Sequence, residues 1–77
     1  MVRPHEGIDY AAPHGTPVRS VGDGVVTRAG WGQGYGKMIV VRHRNGLETQ
    51  YAHLSGFARN LKKGAKVERG DVIGFVG

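Results

Sequence analysis

The stretch KMIVVRHRNGLETQYAH, residues 37–53, decides the fold class of this 77-residue chain. Two runs rich in apolar and β-branched residues flank the pair Asn45-Gly46. Asn-Gly is a strong β-hairpin signal, because both residues tolerate the positive φ of a type I′ turn. We expect these two residues to form the whole loop, which fixes the register of the two strands.

The predicted register gives the hairpin two faces and places His53 at a strand end. One face carries Met38, Val40, Arg42, Thr49, Tyr51 and His53, with Val40 opposite Tyr51 and Met38 opposite His53; the other carries Ile39, Val41, His43, Glu48, Gln50 and Ala52. A strand end is rigid yet exposed, which suits a catalytic group. The alternative for His53 is a structural histidine bonded to a loop carbonyl. That structural role is the one we expect for His43.

The amino-acid composition indicates that the rest of the chain is also β-structure and forms one small all-β domain. Gly accounts for 14 of the 77 residues, well above the usual ~7%, and glycines among β-branched residues are typical of short strands joined by tight turns. There are no cysteines, and small domains without disulfides often depend on a metal ion or on oligomerisation. We expect a mostly antiparallel sheet or barrel-like core.

Upstream of the hairpin, residues 30–36, GWGQGYG, are expected to form a loop. They do not match the spacing of a phosphate-binding loop, since neither G-K-S/T nor G-x-G-x-x-G is present. Trp31 and Tyr35 would either floor a substrate groove or cover the core, and the sequence leaves both alternatives open.

Near the start, His5-Glu6-Gly7-Ile8-Asp9 places an imidazole and a carboxylate four positions apart. Zinc binds nitrogen and oxygen at about 2.0–2.2 Å, whereas a straight strand would separate the two residues by roughly 13 Å. A shared ion therefore requires a bend, which Gly7 permits. Taken alone, the pattern fits an exposed histidine and a turn aspartate at least as well. We interpret His14, in the next turn, as a surface residue.

The chain is basic, with eleven Lys and Arg against six Asp and Glu and a net charge of +5. The densest segment, residues 59–69, holds Arg59, Lys62, Lys63, Lys66 and Arg69. Such a surface would suit nucleic acid, an anionic membrane or an acidic wall polymer, although a solvated basic face explains it equally well. No segment reads as a signal peptide or a membrane span.

The last apolar run, residues 72–76, is expected to be a strand that closes the sequence without a polar tail. A strand in that position would expose an edge. We therefore predict a homodimer that pairs through this unpaired C-terminal strand.

Longer motifs show a resemblance that covers nearly the whole chain. Together they resemble the β-sheet core, of duplicated hybrid motif type, of lysostaphin-type (LytM-like) zinc peptidoglycan endopeptidases. The motifs are HEGIDYAAPHGTPV (5–18), GDGVVTRAG (22–30), GYGKMIVVRH (34–43), NGLETQYAHLS (45–55) and KKGAKVERGDVIGFVG (62–77).

The resemblance implies a role for three residues. His5 and Asp9 match the two zinc ligands of the H-x-x-x-D motif, and His53 matches the catalytic, non-ligand histidine of Y-x-H-L. The third ligand and a second catalytic histidine belong to an H-x-H motif that follows the last strand in this family. This sequence has no H-x-H. We therefore expect residues 1–77 to form a single, partial peptidase core that lacks its final strands.

The resemblance also implies a setting, the bacterial cell envelope, and a substrate, the peptides of peptidoglycan. Two other classes of function compete with this one. One is a non-catalytic module of the same fold that binds the cell wall or regulates an amidase. The other is a small basic β-barrel that stacks nucleic acid on Trp31, Tyr35 and Phe57, which we rank last because no nucleic-acid motif is present.

We predict that the isolated 77-residue chain cleaves peptidoglycan weakly or not at all. A catalytic zinc normally has three protein ligands and one open position, and the ligand set here is incomplete. Chromatography of the fragments released from purified peptidoglycan measures the activity. Cleavage by the isolated chain that a chelator abolishes would contradict the prediction.

Overall fold

The computed structural model of the chain describes residues 7–8 and 12–77. These residues form a curled seven-stranded sheet, without an α-helix in the described ranges. The strands are β1 (Gly7–Ile8), β2 (Pro17–Arg19), β3 (Gly24–Gly32), β4 (Gly36–His43), β5 (Glu48–Phe57), β6 (Lys66–Val67) and β7 (Val72–Val76). Their order is β2-β7-β5-β4-β3-β6, with β1 beside β5.

The all-β, mostly antiparallel fold expected from the sequence is confirmed. Every described strand pair is antiparallel except β1 with β5. The described part of the chain contains no helix that is long and apolar enough to cross a membrane.

The hairpin between β4 and β5 exists, but its predicted register is wrong by one residue. Ile39, not Val40, pairs with Tyr51, and Arg42 pairs with Glu48. A shift of one residue exchanges the two faces of a strand. Tyr51 consequently shares the buried core with Ile39 and Val41.

The cause of the shift is a loop of three residues instead of two. The His43 amide donates to the Leu47 carbonyl at 2.8 Å, and the Gly46 amide donates to the His43 carbonyl at 2.9 Å. Within the loop only Gly46 has a positive φ, of 82°, whereas a two-residue type I′ loop needs positive φ at both positions. A type I turn followed by a left-handed glycine is the usual three-residue hairpin, and Asn-Gly fits it as well.

The long strand β5 organises the sheet because both of its edges are occupied. One edge pairs with β4. The other edge is shared, since Gln50 and Tyr51 pair with β1 and residues 54–57 pair with β7.

The C-terminal strand is therefore not an edge, and the prediction of an unpaired strand 72–76 is wrong. β7 lies between β5 and β2, with Leu54 opposite Val76 on one side and Val18 opposite Gly74 on the other. The homodimer predicted through this strand loses its structural basis, because the backbone groups of β7 already have partners within the sheet.

The core includes one large side chain with a polar group. Its buried members are Val18, Val26, Ile39, Val41, Tyr51, Leu54, Val67, Ile73 and Val76. Tyr51 is fully buried, and its hydroxyl accepts hydrogen bonds from the Val21 amide at 3.1 Å and from Thr49 Oγ1 at 3.2 Å. These contacts satisfy a group that would otherwise be costly to bury.

Gly24 lies in the part of β3 that has a neighbouring strand on each side. It pairs with His43 in β4 and with Val67 in β6. A Cβ atom built on Gly24 would lie 2.5 Å from the Arg42 carbonyl oxygen and 2.7 Å from Val41 Cγ1. The neighbouring backbone therefore leaves no space for a side chain.

We predict that Gly24→Ala lowers the free energy of unfolding by about 1–3 kcal/mol, because the added methyl group overpacks this site. Gly30→Ala, in the same strand, is the matched control, since a Cβ there meets nothing within 4 Å. Urea unfolding of both variants measures the difference. Equal stability of the two variants would contradict the close packing.

Candidate active site around His53

His53 lies in an irregular part of β5 and has an unusual backbone conformation. Three steps along β5, from Tyr51 to Leu54, match two steps along β4, from Ile39 to Lys37. The extra residue forms a β-bulge, a feature found preferentially next to active sites because it re-aims a side chain. His53 has φ of 58°, the left-handed region that few non-glycine residues adopt.

The backbone of His53 is held on both sides while its side chain is exposed. The His53 amide donates to the Tyr35 carbonyl at 2.8 Å, and the Gly77 amide donates to the His53 carbonyl at 3.0 Å. A sparsely populated conformation persists only where the surroundings determine it. The structure thus presents an imidazole to solvent from a fixed backbone, as a general base or acid requires.

His5 and Asp9, the predicted zinc ligands, lie outside the described residues. Gly7 and Ile8, which stand between them in the sequence, pair with Gln50 and Tyr51 in β5. Across residues 7–8 and 12–77, no three His, Cys, Asp or Glu side chains form a group that could hold a metal ion.

His43 has the structural role expected from the sequence. Its Nδ1 lies 2.8 Å from the Asp23 carbonyl oxygen, and its Nε2 lies 2.9 Å from Thr49 Oγ1. One of these contacts is the predicted bond to a loop carbonyl. His14 is exposed, as predicted for a surface residue.

The loop between β3 and β4 is shorter than predicted, because the strands extend to Gly32 and Gly36. Trp31 lies at the end of β3 and is 74% exposed, and Tyr35 is 48% exposed. Neither ring covers the core. Of the two alternatives that the sequence left open, the structure favours a surface role for both aromatics.

Sequence reasoning missed Lys37, which lies next to the bulge. Its ammonium Nζ donates to the Ser55 carbonyl at 3.0 Å, and its Cα partner in β5 is Leu54, the residue after His53. The predicted hairpin register already indicated that Lys37 lies close to His53. The predicted register also pairs residues 37 and 54, but it gave Lys37 no role.

The nucleic-acid alternative is weakened at one of its three stacking residues. Phe57 is partly buried and packs against the core, so less of its ring is available to stack on a base. The basic side chains of residues 59–69 are exposed, as a solvated face requires. Asp23 and Asp71 accept hydrogen bonds from the backbone amides of Arg69 and Glu68 there, so their carboxylates stabilise the turns of this segment.

Comparison with known proteins identifies the family. The family model described as Peptidase family M23 matches residues 3–77, so the match includes His5, Asp9 and His53. The family expected from the motifs is confirmed.

Three relatives illustrate the similarity. The DD-carboxypeptidase/endopeptidase Mpg of Neisseria meningitidis serogroup B is 56% identical over 75 residues, covering 97% of this chain and 17% of that protein. The L-Ala–D-Glu endopeptidase of Bacillus subtilis is 47% identical over 75 residues, covering 97% of this chain and 23% of that protein. The structure of Helicobacter pylori Csd3 from an orthorhombic crystal is 51% identical with a TM-score of 0.86, covering 97% of this chain and 21% of that one. The chain thus spans about a fifth of the length of these relatives.

We predict that His53→Gly is more stable than His53→Ala by about 1 kcal/mol, because glycine adopts positive φ without the steric cost that alanine incurs. The matched control is Ala52→Gly at the preceding position, where φ is not positive and glycine should destabilise the strand by about 0.5–1 kcal/mol. Urea unfolding measures all three variants. An alanine at position 53 that equals or exceeds glycine in stability would show that the left-handed conformation is absent.

Proposed function

This chain belongs to peptidase family M23, and we propose that it is the β-sheet core of a zinc metalloendopeptidase that hydrolyses peptide cross-links of bacterial peptidoglycan. The observation that carries the proposal is His53, an exposed imidazole on a left-handed backbone that two hydrogen bonds hold in place. A histidine with no chemical role gains nothing from that conformation, whereas strain of this kind is concentrated at functional sites.

His5 and Asp9 are the proposed zinc ligands. The donor set fits the ion, since zinc accepts imidazole nitrogen and carboxylate oxygen. When bound, zinc would lower the pKa of a water molecule to about 7 and polarise the scissile carbonyl group. His53 would exchange a proton with the reacting groups, for which it must lie within hydrogen-bond reach of the substrate.

The parallel pairing of β1 with β5 supports the proposal that the zinc ligands lie close to His53. Ile8 precedes Asp9 in the sequence and pairs with Tyr51, which precedes His53 by two residues. Neighbouring strands lie about 4.8 Å apart. The segment that carries both proposed ligands therefore enters the sheet beside the strand that carries the proposed catalytic histidine.

The proposed substrate is a peptide bond of peptidoglycan, and the proposed location is the bacterial cell envelope. The names of two relatives support a peptide bond as the substrate, one as a DD-carboxypeptidase/endopeptidase and one as an L-Ala–D-Glu endopeptidase. These names refer to different bonds, so the proposal names the class of substrate and not one bond. Residues 1–77 are proposed to act as one partial domain.

The exposure of His53 and its conformation argue against a non-catalytic module of the same fold. A module that only binds has no need of a strained histidine, and the motif retains His5, Asp9 and His53 together. The observation that separates the two functions is metal binding.

We predict that the chain binds zinc and that His5→Ala or Asp9→Asn weakens this binding at least tenfold, because each variant removes a proposed ligand. The controls are His14→Ala and His53→Ala, which alter histidines with no ligand role and should retain the wild-type affinity. Metal content by mass spectrometry and competition titration with a chelating dye measure the effect. Unchanged zinc affinity in His5→Ala would contradict the proposed ligand set.

The catalytic role is tested in the natural-length protein, where His53→Ala should lower kcat by 10²–10⁴-fold, the usual contribution of a general acid or base. Zinc content should stay at the wild-type level. Loss of zinc together with activity would instead assign His53 to the metal.

A further inference from the structure

An exposed aromatic surface lies beside His53. We call it the Trp31 platform and define it as Trp31, Tyr35 and Lys37. Trp31 has the greatest exposure of the large apolar side chains in the described residues, at 74%, and Tyr35 follows at 48%. A Cβ built on Gly36 would lie 4.0 Å from Trp31 Cζ3 and 3.9 Å from His53 Cα, so Gly36 neighbours both the indole ring and the backbone of the proposed catalytic residue.

The platform is rigid, although it lies in a glycine-rich segment. The pairing of β3 with β4 continues regularly from Arg28 opposite Val40 to Gly32 opposite Gly36, and it includes Trp31 opposite Lys37. The Tyr35 amide donates to the Gly32 carbonyl at 2.9 Å and closes the turn. The Trp31 carbonyl accepts a hydrogen bond from Arg28 Nη2 at 3.2 Å.

The platform is also directly tied to the bulge. The carbonyl of Tyr35 accepts the hydrogen bond from the His53 amide. A molecule held on Trp31 and Tyr35 is therefore held at a fixed distance from His53. Rigid aromatic side chains provide contact area at little cost in conformational entropy, and Trp and Tyr are over-represented where binding energy is concentrated.

The charge next to the rings is positive. Trp31 and Lys37 are cross-strand partners and hence project to the same face of the sheet. The Lys37 ammonium uses one of its three donors on the Ser55 carbonyl. Residues 28–37 include Arg28 and Lys37 and contain neither Asp nor Glu, so this stretch of the surface favours an anion.

We infer that the Trp31 platform binds the peptide part of the substrate, as an extended segment with apolar side chains against the two rings and a carboxylate at Lys37. This inference rests on the proposed function for the identity of the substrate. A sugar chain without charge would use the rings but not the cation. The positive charge therefore favours a peptide that carries a free carboxylate.

Trp31 is the single tryptophan of the chain, so its fluorescence reports binding to the platform directly. The probe is a short alanine-rich peptide with one glutamate and a free C-terminal carboxylate, added to the 77-residue chain in the presence of a chelator. We expect a saturable change in Trp31 emission. The same peptide with amidated carboxyl groups should bind about tenfold more weakly, because charge-assisted hydrogen bonds are lost.

Substitutions separate the two parts of the platform. Lys37→Gln should weaken peptide binding about tenfold, whereas Lys62→Gln, which removes an exposed cation from the basic segment, should leave binding unchanged. Trp31→Ala, measured by calorimetry, should abolish binding but keep the wild-type unfolding midpoint, because the ring is mostly exposed. In the natural-length enzyme, Trp31→Ala should raise KM at least fivefold with kcat unchanged, as expected for loss of binding shared by ground and transition states.

The experiment distinguishes failure of this inference from failure of the proposed function. Zinc binding that depends on His5, without any change in Trp31 emission on peptide addition, would overturn the platform and leave the peptidase proposal intact. Peptide binding without zinc binding would support the platform and contradict the metal site. A change in emission with an uncharged N-acetylglucosamine oligomer but not with the peptide would overturn the peptide assignment.

Discussion

The architecture depends on one constraint, the division of a single edge of β5 between two strands that run in opposite directions. The parallel strand β1 takes Gln50 and Tyr51, and the antiparallel strand β7 takes residues 54–57. Between them lie Ala52 and His53, where the ladder to β4 gains its extra residue. The bulge separates the two regions of pairing, and its left-handed residue is the proposed catalytic histidine.

This arrangement gives His53 a rigid backbone and an exposed side chain. The amide and the carbonyl of His53 are both engaged, by Tyr35 and Gly77, so the backbone is fixed without any contact that would bury the imidazole. The partner on the amide side is the turn that carries the exposed aromatics. A movement of that turn would therefore displace His53, which means that the exposed aromatics and the proposed catalytic histidine are mechanically coupled in this fold.

The sequence predicted the class of fold and the family better than the pairing of strands. Asn45-Gly46 identified the hairpin, but the same dipeptide fits loops of two or three residues, and the choice between them decided which face of β5 is buried. The position of β7 was wrong because strand order depends on contacts between distant residues, which local patterns do not encode. The exposure of Trp31 could not be predicted from local patterns either. Whether an aromatic residue next to glycines is exposed depends on where the neighbouring strands end.

For the proposed site, motif resemblance pointed to His53, and no local pattern predicted its backbone conformation. Positive φ is usually read from glycine, and although histidine is enriched among the few other residues that adopt it, a single histidine does not predict that conformation. Lys37 was missed for a different reason: the predicted register already placed it opposite residue 54, next to His53, but no role was assigned to it. His43 was predicted correctly because a histidine at the end of a strand, close to turn carbonyls, has an evident structural partner.

The position of β2 has a consequence for the synthesis of the protein. Among the described strands β2 pairs only with β7, and the chain must therefore extend from residues 17–19 to residues 72–76 before either strand finds its partner. At ~5–20 residues per second, the delay on the ribosome is about 3–11 s. During that time Val18, which is fully buried in the finished sheet, remains accessible to other chains. Pro17 lies in β2 itself and has no amide to offer a foreign strand, which lowers the risk of aggregation before β7 is available.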